Sequence, residues 1–240
     1  MQWGRYKNLY FEKHFPHSSS VEIATYHVNI LHLPLRTFQT MNLGIIASHR
    51  GTNFQAIIDA CRANKLNARV AVAISNNSKS LALIRAQKNN IPAFHVSGKT
   101  HPNPSERDEA MLNILNRHEV DFVVLVGYLK RVGEKTLSAF QQKVINIHPA
   151  LLPSYGGQGM YGSKIHEEVL KNRDTETGIT IHYVDDSYDK GEIIAQMRIP
   201  IDRAESAASL AKKVLINEHE FLISTLNCLI SEELACRNRA

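Results

Sequence analysis

Cysteine is scarce in this chain of 240 residues, and the three present, Cys61, Cys228 and Cys236, are odd in number and widely spaced. No C-x-x-C pair occurs, which argues against a disulfide framework or a zinc site and fits thiols kept reduced in a cytosol. No apolar run approaches the roughly 20 residues needed to span a bilayer, so no membrane partner is expected. The first 40 residues lack a basic start, an apolar core and a small-residue cleavage site, and a secretory signal is not expected either. These absences fit a cytoplasmic protein. Spacings such as H-x-x-E-H are missing, and no metal is expected. Charge of one sign does not dominate: 28 Lys and Arg stand against 23 Asp and Glu, a net charge of +5. The basic residues are spread rather than clustered, so nucleic-acid binding is not expected, and small anionic substrates account for the mild excess.

What remains is the ordinary make-up of a folded α/β protein, with 43% hydrophobic and 21% charged residues. Residues 1–40 carry no sustained period of 2 or 3.6 and are expected to be a disordered or non-native extension. The folded domain is expected over 41–240. From Met41 onward strand and helix signals alternate, the pattern of a parallel sheet with crossover helices. Strands are expected at 42–47, 69–74, 92–96, 121–126 and 144–148, and helices at 53–64, 80–89 and 106–118. The run 178–184 alternates Ile179, Ile181 and Tyr183 with Thr180 and His182, as a half-buried strand does. A strand at 192–199 follows, antiparallel to its neighbour, and a long helix at 206–232 ends the pattern. Between Pro149 and Gly162 the density of Pro and Gly marks a loop of the kind that carries function.

Three constellations bear chemistry. Ser48-His49-Arg50-Gly51-Thr52-Asn53 joins the first strand to a helix, where glycine lets backbone amides approach an anion and the helix start adds positive potential. Thr52 or Asn53 can cap that helix or meet a phosphate oxygen; a plain strand-to-helix turn explains the residues equally well. This turn is neither G-x-G-x-x-G nor a Walker A loop. In Val144-Ile145-Asn146-Ile147-His148-Pro149-Ala150-Leu151-Leu152-Pro153, strand alternation puts Asn146 and His148 on one face. An amide and an imidazole at a strand's C-terminal end suit oxyanion stabilisation and proton transfer, although a satisfied histidine beside a hydrogen-bonding asparagine is the plainer account. The third block runs from Thr177-Gly178 through His182 to Tyr188-Asp189-Lys190-Gly191 and Gln196. Asp189 sits in a turn, and near His148 it is expected to favour the imidazolium and raise that histidine's pKa.

Taken together and in this order, these motifs resemble the phosphoribosylglycinamide formyltransferases of the folate-dependent formyltransferase superfamily, over about residues 41–225. The Asn146-to-Asp189 set is shared across the superfamily, whereas the turn at 48–53 points to the glycinamide ribonucleotide enzymes. The resemblance implies a single Rossmann-like domain with a mostly parallel sheet of about seven strands. It implies transfer of a formyl group from the co-substrate 10-formyltetrahydrofolate to the amine of glycinamide ribonucleotide, in purine synthesis, by direct attack. Asn146 and His148 would face the formyl group, with Asp189 holding the histidine's charge. Gly51, Thr52 and Asn53 would hold the substrate phosphate, and Glu218 would meet its ribose or amine. Leu129, Lys130, Arg131, Val132, Asn146 and His182 would line the folate site. His49 departs from the usual glycine, and Lys130 from a common arginine, keeping charge without the bidentate fork. The loop 156–162 is a variant form, and Arg107 aligns poorly with a donor-contacting arginine. A formyltetrahydrofolate deformylase and a non-catalytic folate- or nucleotide-binding module are the alternatives.

Overall fold

The alternating signals resolve into seven strands and six helices in the computed structural model, which describes residues 40–239. The extension expected at the N-terminus lies outside the described residues, save for Thr40. Strands β1 (Met41–Ala47), β2 (Ala68–Ser75), β3 (Ala93–His95), β4 (Phe122–Leu125) and β5 (Val144–His148) all run parallel. Helices α1 (Thr52–Arg62), α2 (Leu81–Lys88), α3 (Pro104–Arg117) and α4 (Glu134–Ala139) connect them in turn. Then come α5 (Ser163–Lys171), β6 (Glu176–Tyr183), β7 (Ile193–Pro200) and α6 (Ala207–Arg237). The sheet order is β3-β2-β1-β4-β5-β6-β7.

Both β6 and β7 are antiparallel to the strand before them; only the second reversal was expected. Because β6 opposes β5, the chain between them leaves and re-enters the sheet at the same edge. The loop after His148 and α5 therefore begin and end on the side of the sheet where β5 stops.

Residues alternate across β1 between two apolar clusters, one on each sheet face. Leu43, Ile45 and Ala47 pack with Phe54 and Ile57 of α1, Ile165 of α5 and Leu222 of α6. Ile46 faces Met111 and Leu115 of α3 with Val72 and Val123. Burial on both faces explains why the central strands read as continuous apolar runs rather than strict alternations. Each large side chain so buried contributes about 1.5–3 kcal/mol. Helix α6 buries Leu210, Val214, Phe221, Leu222, Leu226 and Leu229 at helical spacing, and its start is fixed by a reciprocal Ser206–Ser209 capping box.

Two helices have no counterpart in the sequence-based reading. The six-residue α4 is too short to show a period, and it is held from outside. The Asp108 carboxylate of α3 accepts from the amides of Lys135 and Thr136 at 2.7 and 3.3 Å, supplying the cap that Gly133 lacks. A Cβ on Gly133 would collide with that carboxylate, which accounts for the glycine. Helix α5 begins directly after the glycine-rich loop and buries Ile165 and Val169, one turn apart.

The strand order reverses at β1, which lies between β2 and β4. In open α/β sheets the crevice outside the carboxyl ends at such a switch point is where ligands bind. Ser48 knits it together: its amide donates to the Gly127 carbonyl at 3.1 Å, and its hydroxyl donates to Asn76 at 2.7 Å and accepts from the Leu129 amide at 2.9 Å. No helix among the described residues is long and apolar enough to cross a membrane.

Candidate active site

Asn146 and His148 project from the carboxyl end of β5, and the antiparallel partner strand sets their neighbours. Asn146 lies opposite His182 of β6, and His148 opposite Thr180. The Asn146 amide nitrogen consequently meets His182 Nε2 at 3.1 Å and reaches Asp189 Oδ1 at 3.5 Å. His182 Nδ1 donates to the Tyr183 carbonyl at 2.7 Å, so its Nε2 accepts from Asn146. Asp189, between β6 and β7, has φ 55°, a left-handed conformation that aspartate tolerates better than most residues. Its Oδ2 accepts from the Gly157 amide at 2.9 Å and faces His148 Nδ1 at 3.7 Å.

The tautomer of His148 follows from its other contact. Nε2 lies 2.8 Å from the Tyr155 carbonyl, which only accepts, so Nε2 carries a proton and the lone pair of the neutral ring is on Nδ1. His148 is 4% exposed. Burial pushes its pKa below the ordinary value, outweighing the upward pull of Asp189 and of the Tyr155 carbonyl. Asp189 pulls upward, as expected; burial, which the sequence does not display, sets the net direction. For Asp189 burial works upward, but the neighbouring His182 and His148 rings and the hydrogen bond from the Gly157 amide outweigh it and hold its carboxyl below the usual range. The resting pair is thus an ionised carboxylate beside a neutral imidazole, poised to accept a proton rather than already charged.

Sequence-distant polar groups pin the loop that follows. Thr180 Oγ1 donates to the Ala150 carbonyl at 2.7 Å and accepts from the Leu152 amide at 3.0 Å. The Gln196 amide donates to the Leu152 carbonyl at 2.9 Å. This explains why the Thr-Gly…Gln196 block and the Pro-x-Leu-Leu-Pro turn belong to one signature.

At the end of β1, Gly51 has φ 64° and is the N-cap of α1 with no side-chain cap. Neither Thr52 nor Asn53 caps the helix, so the first-turn amides have no side-chain cap, as an anion site requires. A Cβ on Gly51 would lie 3.0 Å from that of Ala82, a second reason for glycine. His49 is exposed and outside the left-handed region, so its backbone does not need the family's glycine. Its carbonyl accepts from the Ala82 amide at 3.1 Å, and the Arg50 carbonyl accepts from Arg85 at 3.0 Å, fixing the turn to α2.

Asn53 donates from Nδ2 to Glu218 Oε2 at 3.2 Å, while its buried Oδ1 has no hydrogen-bond partner. Glu218 is 7% exposed, and burial pushes its carboxyl up to about 7 against the pull of Asn53. A carboxyl that titrates near neutrality suits contact with an amine or a hydroxyl.

A cleft lined by Asn146, His182 and Asp189 continues to Lys130, Arg131 and Val132. Leu129 does not line it; its amide is engaged by Ser48. The Arg131 guanidinium stands 5.8 Å over the Tyr188 ring, joining the two walls. Arg107 donates to the His101 carbonyl at 3.1 Å and is not part of this lining. The described residues contain no cluster of three or more His, Cys, Asp or Glu able to hold a metal ion. Tyr155 and Gly157 were given no role from the sequence, and Ser48 and Tyr188 stood in its motifs without one, because each acts through a backbone group or through a fold contact that no spacing reveals.

An open α/β sheet that sets an amide, a buried imidazole and a carboxylate at a strand end, with an uncapped helix start at the neighbouring switch point, has the groups that a transfer enzyme for small substrates requires. Comparison narrows the class. Residues 41–226 match the formyl transferase family. The phosphoribosylglycinamide formyltransferase of Haemophilus influenzae is 34% identical over 178 residues, 74% of this chain and 82% of that one. The chloroplastic phosphoribosylglycinamide formyltransferase of Vigna unguiculata is 35% identical over 208 residues, and the match spans 84% of this chain but only 64% of the plant protein's length. The crystal structure of glycinamide ribonucleotide transformylase 1 from Geobacillus kaustophilus superposes with a TM-score of 0.74 at 35% identity, covering 80% of this chain and 99% of that one. The chain belongs to the formyl transferase family, among its phosphoribosylglycinamide formyltransferases.

Proposed function

We propose that the protein transfers the formyl group of 10-formyltetrahydrofolate to the amine of N1-(5-phosphoribosyl)glycinamide, giving the N-formyl nucleotide of purine (IMP) synthesis. The observation that carries this reading is His148: buried, neutral at rest, with its Nδ1 lone pair facing an ionised Asp189 at 3.7 Å. That arrangement fits an attacking amine that must shed a proton.

The uncapped start of α1, from Gly51 through Thr52, receives the substrate phosphate, and Asn53 orients Glu218 toward the ribose or amine. The walls at 130–132 and 182–189 receive the folate. As the amine nitrogen bonds to the formyl carbon, His148 Nδ1 takes the proton that the nitrogen loses, and Asp189 stabilises the resulting imidazolium. The Asn146 amide donates to the formyl oxygen as it gains charge, giving up its 3.5 Å link to Asp189 while keeping the shorter one to His182. His148 then returns the proton to the departing folate nitrogen, which leaves with the electron pair of its bond to carbon. The ring ends neutral, as it began. Cys61, Cys228 and Cys236 are free thiols and take no part in this scheme.

The test mixes enzyme, glycinamide ribonucleotide and a 10-formylfolate and follows release of the deformylated folate. Turnover that requires the nucleotide is expected. Turnover without it would favour the deformylase alternative, and binding without turnover the non-catalytic module. Asn146→Ala and His148→Ala are each expected to lower kcat about a hundredfold or more, the size of a lost oxyanion donor or general base. Near-wild-type turnover of either purified variant would overturn the assignment.

A further inference from the structure

Residues 155–157 grip both members of the acid–base pair. The Tyr155 carbonyl accepts from His148 Nε2 at 2.8 Å, and two residues on the Gly157 amide donates to Asp189 Oδ2 at 2.9 Å. The other end of Tyr155 is tied to the scaffold. Its hydroxyl donates to Asp174 Oδ2 at 2.6 Å and accepts from Asn172 Nδ2 at 2.8 Å. Asn172 is the C-cap of α5, and Asp174 stands just before β6. The tyrosine is therefore a strut from the scaffold to the catalytic imidazole. Its backbone has φ 57°, a conformation that costs an ordinary residue free energy and persists only where surrounding contacts enforce it.

The strut bears on the proton. A neutral imidazole beside a carboxylate is favoured with its hydrogen on the nearer nitrogen, here Nδ1, toward Asp189. That tautomer would leave no lone pair on the side where the amine's proton must go. The Tyr155 carbonyl, which only accepts, favours the opposite tautomer.

We propose that Tyr155, anchored by Asp174 and Asn172, is a positioning residue that holds His148 in its Nε2–H tautomer and so makes Nδ1 the proton-accepting atom. The kinetic part of this inference rests on the formyl-transfer reading; the tautomer itself does not. Tyr155→Phe removes only the hydroxyl, and Asp174→Ala removes its acceptor, whereas Asp174→Asn keeps an oxygen that can accept.

The experiment is ring ¹⁵N NMR of His148 in the ligand-free enzyme at a pH where the ring is neutral, together with steady-state kinetics. In the wild-type protein Nε2 is expected to carry the proton. In Tyr155→Phe and Asp174→Ala the two ring signals move toward each other as the second tautomer is populated. Their kcat falls about tenfold, the scale of one lost charge-assisted hydrogen bond, with the KM values little changed. Asp174→Asn restores both. A wild-type His148 protonated on Nδ1 overturns the proposal. So does a Tyr155→Phe enzyme with unchanged tautomer, whether or not its kcat falls, since a loss of kcat alone would make Tyr155 a packing residue. Absence of nucleotide-dependent turnover in the wild-type enzyme would defeat the functional reading instead, with the tautomer still readable.

Discussion

In the proposed mechanism His148 needs a neighbouring negative charge only while it holds the amine's proton, and replacing Asp189 by asparagine isolates that charge. The side chain keeps its shape and an oxygen for the Gly157 amide, now 2.9 Å away. What goes is the attraction between the carboxylate and an imidazolium whose Nδ1 lies 3.7 Å from it. At an effective dielectric of about 20 that attraction is about 4 kcal/mol. The imidazolium is only partly formed when the new bond is forming, so about half of this is lost from the barrier. That is ~2 kcal/mol, or about 30-fold in kcat. The pH profile gives the mechanism away. The base must be neutral, so kcat/KM falls as pH drops through the His148 pKa, which burial already holds below its ordinary value of 6.5. Without the Asp189 charge the imidazolium is less stable, the pKa falls further, and the acid limb moves to lower pH. The assay is nucleotide-dependent release of deformylated folate from pH 5 to 9. A lower kcat with an unmoved limb would make Asp189 a purely structural residue, and an unchanged kcat would remove it from the mechanism.

Gly51→Ala forces a side chain into φ 64° and within 3.0 Å of Ala82, so a stability loss of about 1–2 kcal/mol and a rise in KM for the nucleotide, not the folate, are expected from melting and kinetics. Glu218→Gln removes a buried carboxylate whose pKa is raised from 4.5 to about 7. Its folded pKa lies above the unfolded one, so its stabilising contribution is present below 4.5 and lost as pH rises through 7. The variant should therefore melt several degrees higher at pH 8, from about 3 kcal/mol of relieved burial, with little difference at pH 4 and weaker nucleotide binding; an equal shift at both pH values would refute it. His148, His166 and His219 all have pKa values lowered chiefly by burial. The unfolded chain takes up their protons first, so their contribution is complete above 6.5 and lost as pH falls below it, and His148→Gln should make the melting temperature less acid-sensitive.

Much of the sheet was legible because the central strands are covered on both faces and their apolar runs are short and bounded. Residues 42–47, 69–74, 121–126 and 144–148 fall within or beside β1, β2, β4 and β5. Two helices escaped. Helix α4 is six residues long and owes its start to Asp108, a residue of another helix, so no local pattern announces it. The reversal of β6 escaped for a related reason: an alternating run marks a strand but carries no direction, and only the pairing of Asn146 with His182 supplies it. That pairing is what brings His182 to the site.

The candidate site divides along the same line between side chain and backbone. Asn146, His148 and Asp189 announce themselves as residue types at strand ends and turns. Tyr155 and Gly157, which hold His148 and Asp189, act through a carbonyl and an amide that nearly every residue possesses. The sign of the His148 pKa shift depends on a competition between a carboxylate and burial, and depth of burial is a property of the fold alone. Its outcome matters chemically. A histidine charged at rest could donate to the formyl oxygen but could not take the amine's proton, and one with no carboxylate nearby could not keep it. Burial strong enough to leave the ring neutral, with Asp189 near enough to stabilise it once charged, is the combination that the proposed acceptance and return of one proton requires of His148.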